Sequence, residues 1–139
     1  MCHGRAYVDE GEKVDARRHF IRETLQKANL SVERARSALA RREERAFDDH
    51  IWKTAFYLEY LTFLLSLSRT NVDDAWKKRE KLDRGVDLTT TLSLAQDSLK
   101  EAEEDDSVEG VYRKAWIARG RILSVQRRLD KTKAKKFKT

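Results

Sequence analysis

Val14, Ile21, Leu25, Ala28, Val32, Ala35, Leu39 and Ala46 recur at spacings of seven, four, three, four, three, four and seven residues. Spacings of that kind return side chains to one face of an α-helix, so the stripe predicts a first helix of about thirty residues. Lys27, Arg34, Arg41 and Arg45 fall on its opposite side. A stripe this narrow suits packing along a neighbouring helix rather than against a sheet. Nothing in the chain opposes that reading, because proline is absent from all 139 residues and glycine occurs five times. With 39% charged and 40% hydrophobic residues, the expected class is all-α.

The rest of the chain divides into further helices. "IWKTAFYLEYLTFLLSL", residues 51–67, is apolar around its whole circumference and predicts a second helix over about 49–68, either surrounded by protein or shared with a second copy. Lys53 and Glu59 interrupt a stretch too short for a bilayer, which argues against a membrane span. Asn71, Asp73 and Asp74 read as the start of a third helix carrying Val72, Ala75, Trp76 and Leu82, with a break near Gly85. Asp87 then caps a helix bearing Leu88, Leu92, Ala95, Leu99 and Ala102, and Ser107 caps a last one running from Val108 to Leu129.

An internal repeat is suggested, since "ANLSVERA" (28–35) matches "AQDSLKEA" (95–102) in pattern and "IWKTAFYLEYL" (51–61) aligns with "VYRKAWIARGR" (111–121). Two similar helical hairpins would give an antiparallel four- or five-helix bundle over residues 14–130. It would be flanked by a flexible N-terminus, 1–13, and a flexible Lys-rich C-terminal tail, 131–139.

Charge is unevenly distributed. The tail "KTKAKKFKT" carries five lysines and no acid, so of the net +6 only +1 belongs to the rest of the chain. Within that remainder, residues 17–45 and 113–130 are basic and 46–112 acidic, which would give the fold two electrostatic faces. A single cysteine, Cys2, leaves no internal disulfide or CxxC metal site, and no apolar leader lies between Met1 and Val14. A cytoplasmic, reducing compartment is expected.

Arg45 and His50, with four residues between them, resemble the arginine and histidine pair of the HEPN ribonucleases, all-helical domains that cleave RNA without a metal. That resemblance implies these two residues as the catalytic candidates. Yet seventeen arginines and three histidines produce about one such spacing by chance. The expectation is instead a turn entering the second helix, with Asp48 or Asp49 as its cap. His3 would complete a copper or nickel site of the amino-terminal type only if Met1 is retained and the terminus ordered; no metal or cofactor is expected. Glu59, among aromatic residues, reads as an ion-paired or edge carboxylate rather than a catalytic acid. Phosphate-binding glycine loops and a nucleophile elbow are absent.

What remains is basic surface. Arg17, Arg18, Arg41, Arg42, Arg127, Arg128, Lys131, Lys133, Lys135, Lys136 and Lys138 are the residues expected to meet nucleic-acid phosphates, RNA or DNA, by counterion release. The chain is therefore read as a small non-catalytic accessory protein or subunit of a nucleoprotein complex. The alternative is a protein-interaction or oligomerisation module acting through the apolar second helix.

Overall fold

The computed structural model describes residues 10–70, 74–80 and 86–137, and within them all regular structure is helical. Among the described residues there are four α-helices, α1 (Glu10–Ala40), α2 (Glu44–Ser68), α3 (Leu88–Glu104) and α4 (Val108–Phe137), with one 3₁₀ turn at Ala75–Lys78 between α2 and α3. The all-α expectation holds. The separate third helix does not: its described part is that one turn, and Trp76 lies against α4 instead of leading a core helix. Asn71, Val72, Leu82 and Gly85 lie outside the described residues.

Local chemistry sets the helix ends. Asp87 caps α3 by accepting from the Thr90 N–H at 2.7 Å, and Ser107 caps α4 by accepting from the Gly110 N–H at 3.0 Å, both as the sequence indicates. The α1 to α2 junction differs from expectation. Glu43 N–H donates to the Ala38 carbonyl at 3.0 Å and Arg42 N–H to Leu39 at 3.2 Å, a Schellman closure with Arg42 in the left-handed region at φ 58°. That closure delivers the chain directly into α2 at Glu44, without a side-chain cap. Helix α2 therefore begins five residues before the expected Asp49, and Ala46 belongs to it rather than to the α1 stripe. At the other end of the chain α4 runs to Phe137, so residues 131–137 continue a helix where a separate tail was expected.

Each helix packs against two others, α1 against α2 and α3, and α4 against α2 and α3. Polar contacts give the directions. Arg17 near the start of α1 donates to the Leu67 carbonyl and Ser68 hydroxyl at the end of α2. Along the α1 and α3 pair, Asn29 meets Glu103 and Arg36 meets Gln96; along α2 and α4, Glu59 meets Arg119 and Arg69 meets Glu109. One helix is climbed as the other is descended. The core between them is aliphatic, with Val32, Ile51, Leu58, Leu61, Leu92, Leu99 and Ile122 fully buried.

The segments aligned in sequence share their burial pattern. A shift of 67 residues carries Thr24, Leu25, Ala28 and Ala35 onto Thr91, Leu92, Ala95 and Ala102, identical residues that are all buried. A shift of 60 carries Ile51, Ala55, Leu58 and Leu65 onto Val111, Ala115, Ala118 and Val125, also all buried. The first shift also exchanges the two polar contacts of α1 and α3, taking Asn29 with Glu103 into Gln96 with Arg36. Helix α2 departs from its counterpart on the outside. Of the two expectations for it, enclosure by the rest of this chain does not hold among the described residues: Trp52, Phe56, Tyr60, Phe63 and Leu67 are exposed, because its neighbours α1 and α4 cover only one side.

Candidate nucleic-acid interface

The basic residues singled out from sequence fall at opposite ends of the molecule. Arg41 and Arg42 occupy the α1 to α2 turn, and the last turns of α4 come to the same place. A shallow cavity of about 380 Å³ there is walled by Leu39, Arg42 and Phe47 together with Leu88, Leu129 and Thr132. Arg127, Arg128 and Lys131 lie in those turns of α4, with Arg127 and Lys131 exposed. Two stretches more than eighty residues apart thus bring basic residues to one pole of the molecule, to which the exposed Arg45 of the first α2 turn adds a further charge. Lys133, Lys135 and Lys136 occupy positions on the last helical turns of α4, and Lys138 lies outside the described residues.

Acids are interspersed at this pole. Glu43 and Glu44 are exposed beside Arg42, and Asp48 joins them in the cavity wall, which carries three acids to one arginine. Asp87 is held below the usual carboxylate range, first by Thr90 through its hydroxyl and its backbone N–H, with a smaller contribution from the nearby Arg128 charge. No ion pair with a described residue engages Arg41, Arg42, Arg45, Arg127 or Lys131.

Arg17 and Arg18 sit at the other end. The Arg17 guanidinium is committed to the C-terminal carbonyl of α2 at Leu67, 3.3 Å away, so it closes a helix end whose carbonyls would otherwise lack partners. Arg18 shares a second cavity with the acids Glu103, Asp105 and Asp106. These two arginines do not join the basic pole.

The same end holds a cluster that sequence reasoning did not single out. Trp76 packs edge-on against Tyr112 and Trp116, with ring centroids 6.2 and 5.2 Å away. The Lys77 ammonium lies over the Tyr112 ring at 4.9 Å and donates to its hydroxyl oxygen at 2.8 Å. The Arg69 side chain is 4% exposed; it donates to Glu109 and Asp74 and stacks 4.0 Å above Tyr112. Its pKa is pushed further up, chiefly by the Glu109 carboxylate and against the opposing effect of burial. The cluster ties the α2 to α3 connection onto α4. Its sequence signal was the Tyr112 and Trp116 pair at helical i, i+4 spacing.

Arg45 and His50 are not separated by a turn. Both stand on α2, five residues apart, which turns them about 140° away from each other, in place of the expected turn between them. Arg45 is exposed, whereas His50 is half-buried with its Nδ1 buried and unpartnered among the described residues. Glu59 takes the ion-paired role, its carboxylate 2.6 Å from the Arg119 guanidinium. Met1, Cys2 and His3 lie outside the described residues. Among those described, no group of three His, Cys, Asp or Glu is placed to hold a metal ion, and no helix is long and apolar enough to cross a membrane.

No protein-family model, curated protein or solved structure was found to match the chain.

Proposed function

We propose that the chain is a non-catalytic, cytoplasmic accessory protein of a nucleoprotein complex, an antiparallel bundle of two similar hairpins whose basic pole contacts RNA or DNA phosphates. The convergence of Arg41 and Arg42 with Arg127, Arg128 and Lys131 carries the reading, since a merely solubilising tail would not need arginines from the far side of the fold. Arg42 adds weight. It holds a left-handed conformation that glycine adopts without strain, and an arginine at such a position is better explained by use of its side chain than by stability.

Contacts of this kind are electrostatic, indifferent to base identity and weakened by salt. Lys133, Lys135, Lys136 and Lys138 extend the pole, and Arg17 and Arg18 are left out of it. The testing experiment is fluorescence anisotropy of labelled RNA and duplex DNA over a salt series. Binding by the full chain should fall steeply with salt. Replacing Arg41, Arg42, Arg127 and Arg128 by alanine should weaken it at least tenfold, truncation after Asp130 should weaken it in part, and alanine at Arg17 and Arg18 should leave it nearly unchanged. No binding of either nucleic acid at about 50 mM salt would overturn the proposal.

A further inference from the structure

Helix α2 is apolar on two opposed faces, and one of them is bare. Ile51, Leu58, Leu61 and Leu65 point into the core, each no more than 1% exposed. Trp52, Phe56, Tyr60, Phe63 and Leu67 are 56, 67, 42, 57 and 53% exposed. At 100° per residue these five fall within an arc of about 80°, centred opposite the buried side, and run about 22 Å along the helix. No charged residue interrupts the arc between Trp52 and Leu67. Their spacings of four, four, three and four are those of a seam along which another helix packs.

The internal repeat sharpens the observation. The counterparts of Trp52 and Phe56 on α4 are Tyr112 and Trp116, which Trp76 covers from the α2 to α3 connection. No described residue gives α2 that cover. Further along, Tyr60, Phe63 and Leu67 correspond to Gly120, Leu123 and Arg127, so the stripe belongs to α2 alone and is not inherited from the repeat.

We infer that α2 pairs in antiparallel fashion with α2 of a second copy of this chain, burying the Trp52 to Leu67 stripe of each against the other. The area fits. With aromatic side chains presenting about 150–250 Å² each, the exposed stripe amounts to roughly 600 Å². That is most of the ~800 Å² per partner in a standard protein interface, and it matches or exceeds the largest apolar patch of an ordinary monomer. A stripe without charge offers nothing to select an oppositely charged foreign partner, but it is complementary to itself, as a two-fold interface requires. Direction follows from Arg45 and Asp49, which fall in the same arc just before Trp52. Parallel pairing would set each against its own copy, and antiparallel pairing moves like charges to opposite ends. This inference is independent of phosphate binding at the basic pole.

Sedimentation equilibrium of the full chain tests it. The chain, 16.3 kDa as a monomer, should run at twice that mass at micromolar concentration. Combined Phe56→Glu and Phe63→Glu should weaken dimerisation at least 100-fold with the helical circular dichroism retained, while Lys100→Glu on exposed α3 surface should leave the dimer intact. Should the double variant lose helicity, Phe63→Ala decides, with an expected weakening of about tenfold. A wild-type chain that stays monomeric at 100 μM overturns the inference, whether residues 1–9 or a foreign protein then proves to cover the stripe. A dimer that survives both Phe63→Ala and the folded double variant overturns it equally.

Discussion

Arg69 at the C-cap of α2 donates from Nε and Nη2 to the two carboxylate oxygens of Glu109 in the first turn of α4, at 2.8 and 3.1 Å. The same guanidinium reaches Asp74 at 2.8 Å and covers the Tyr112 ring. One planar, forked cation therefore joins a helix end, a helix start and the connection between α2 and α3. Lysine has no equivalent geometry. Arg69→Ala should destabilise the fold by about 1–2 kcal/mol, because a bidentate pair and a ring contact are lost while the half-exposed carboxylates return to water, and Arg69→Lys should recover only part of that. Urea unfolding of the three proteins measures it; equal midpoints would show that the fork contributes nothing.

Acid should weaken the fold in a defined window. The Lys114 ammonium, 2.8 Å away, and the Ser107 N–H and hydroxyl hold the Asp105 carboxyl down at about 2. Asp74, held mainly by Arg69, and Asp87, held by Thr90, are shifted in the same direction. A carboxyl whose pKa is lower folded than unfolded contributes stability that is complete above the unfolded value near 4 and lost as pH falls through the folded one. Thermal midpoints should be steady from pH 7 to about 5 and drop between about pH 4 and pH 2. Asp105→Asn should lower the midpoint at pH 7 and flatten the acid limb; a limb identical to wild type would remove Asp105 from the account.

Arg42 separates stability from binding. Its φ of 58° strains an L residue, so Arg42→Gly should stabilise the protein by about 0.5–1 kcal/mol. The same change deletes one phosphate contact, so the dependence of nucleic-acid affinity on salt should become shallower by about one charge. A variant both less stable and equally tight in binding would contradict both halves.

The repeat can be tested through its alanines. Ala28 and Ala95 are both fully buried, 67 residues apart in equivalent positions of α1 and α3. Enlarging either to leucine should overpack the core and cost about 1–3 kcal/mol, with similar values at the two sites. Denaturant midpoints that differ severalfold between the two variants would show that the two hairpins are not equivalent in packing.

The α1 stripe and the starts of α3 and α4 were readable without a fold because they depend on residues three or four positions apart. The Leu25, Ala28, Val32 and Ala35 stripe, the Asp87 cap and the Ser107 cap are all of this kind. The break at Arg42 escaped, since a left-handed closure made by arginine leaves no glycine to mark it. Tertiary packing decided the rest. Period alone shows that α2 is apolar on every side, but only its apposition to α1 and α4 determines that Leu58 and Leu61 are buried while Phe56 and Phe63 meet solvent. Likewise a list of arginines cannot say that Arg41 and Arg42 converge with Arg127 and Arg128 while Arg17 closes the opposite end of the molecule. Such groupings join residues fifty to ninety positions apart, and they follow from which face each helix turns inward and in which direction it runs. No local spacing encodes that choice.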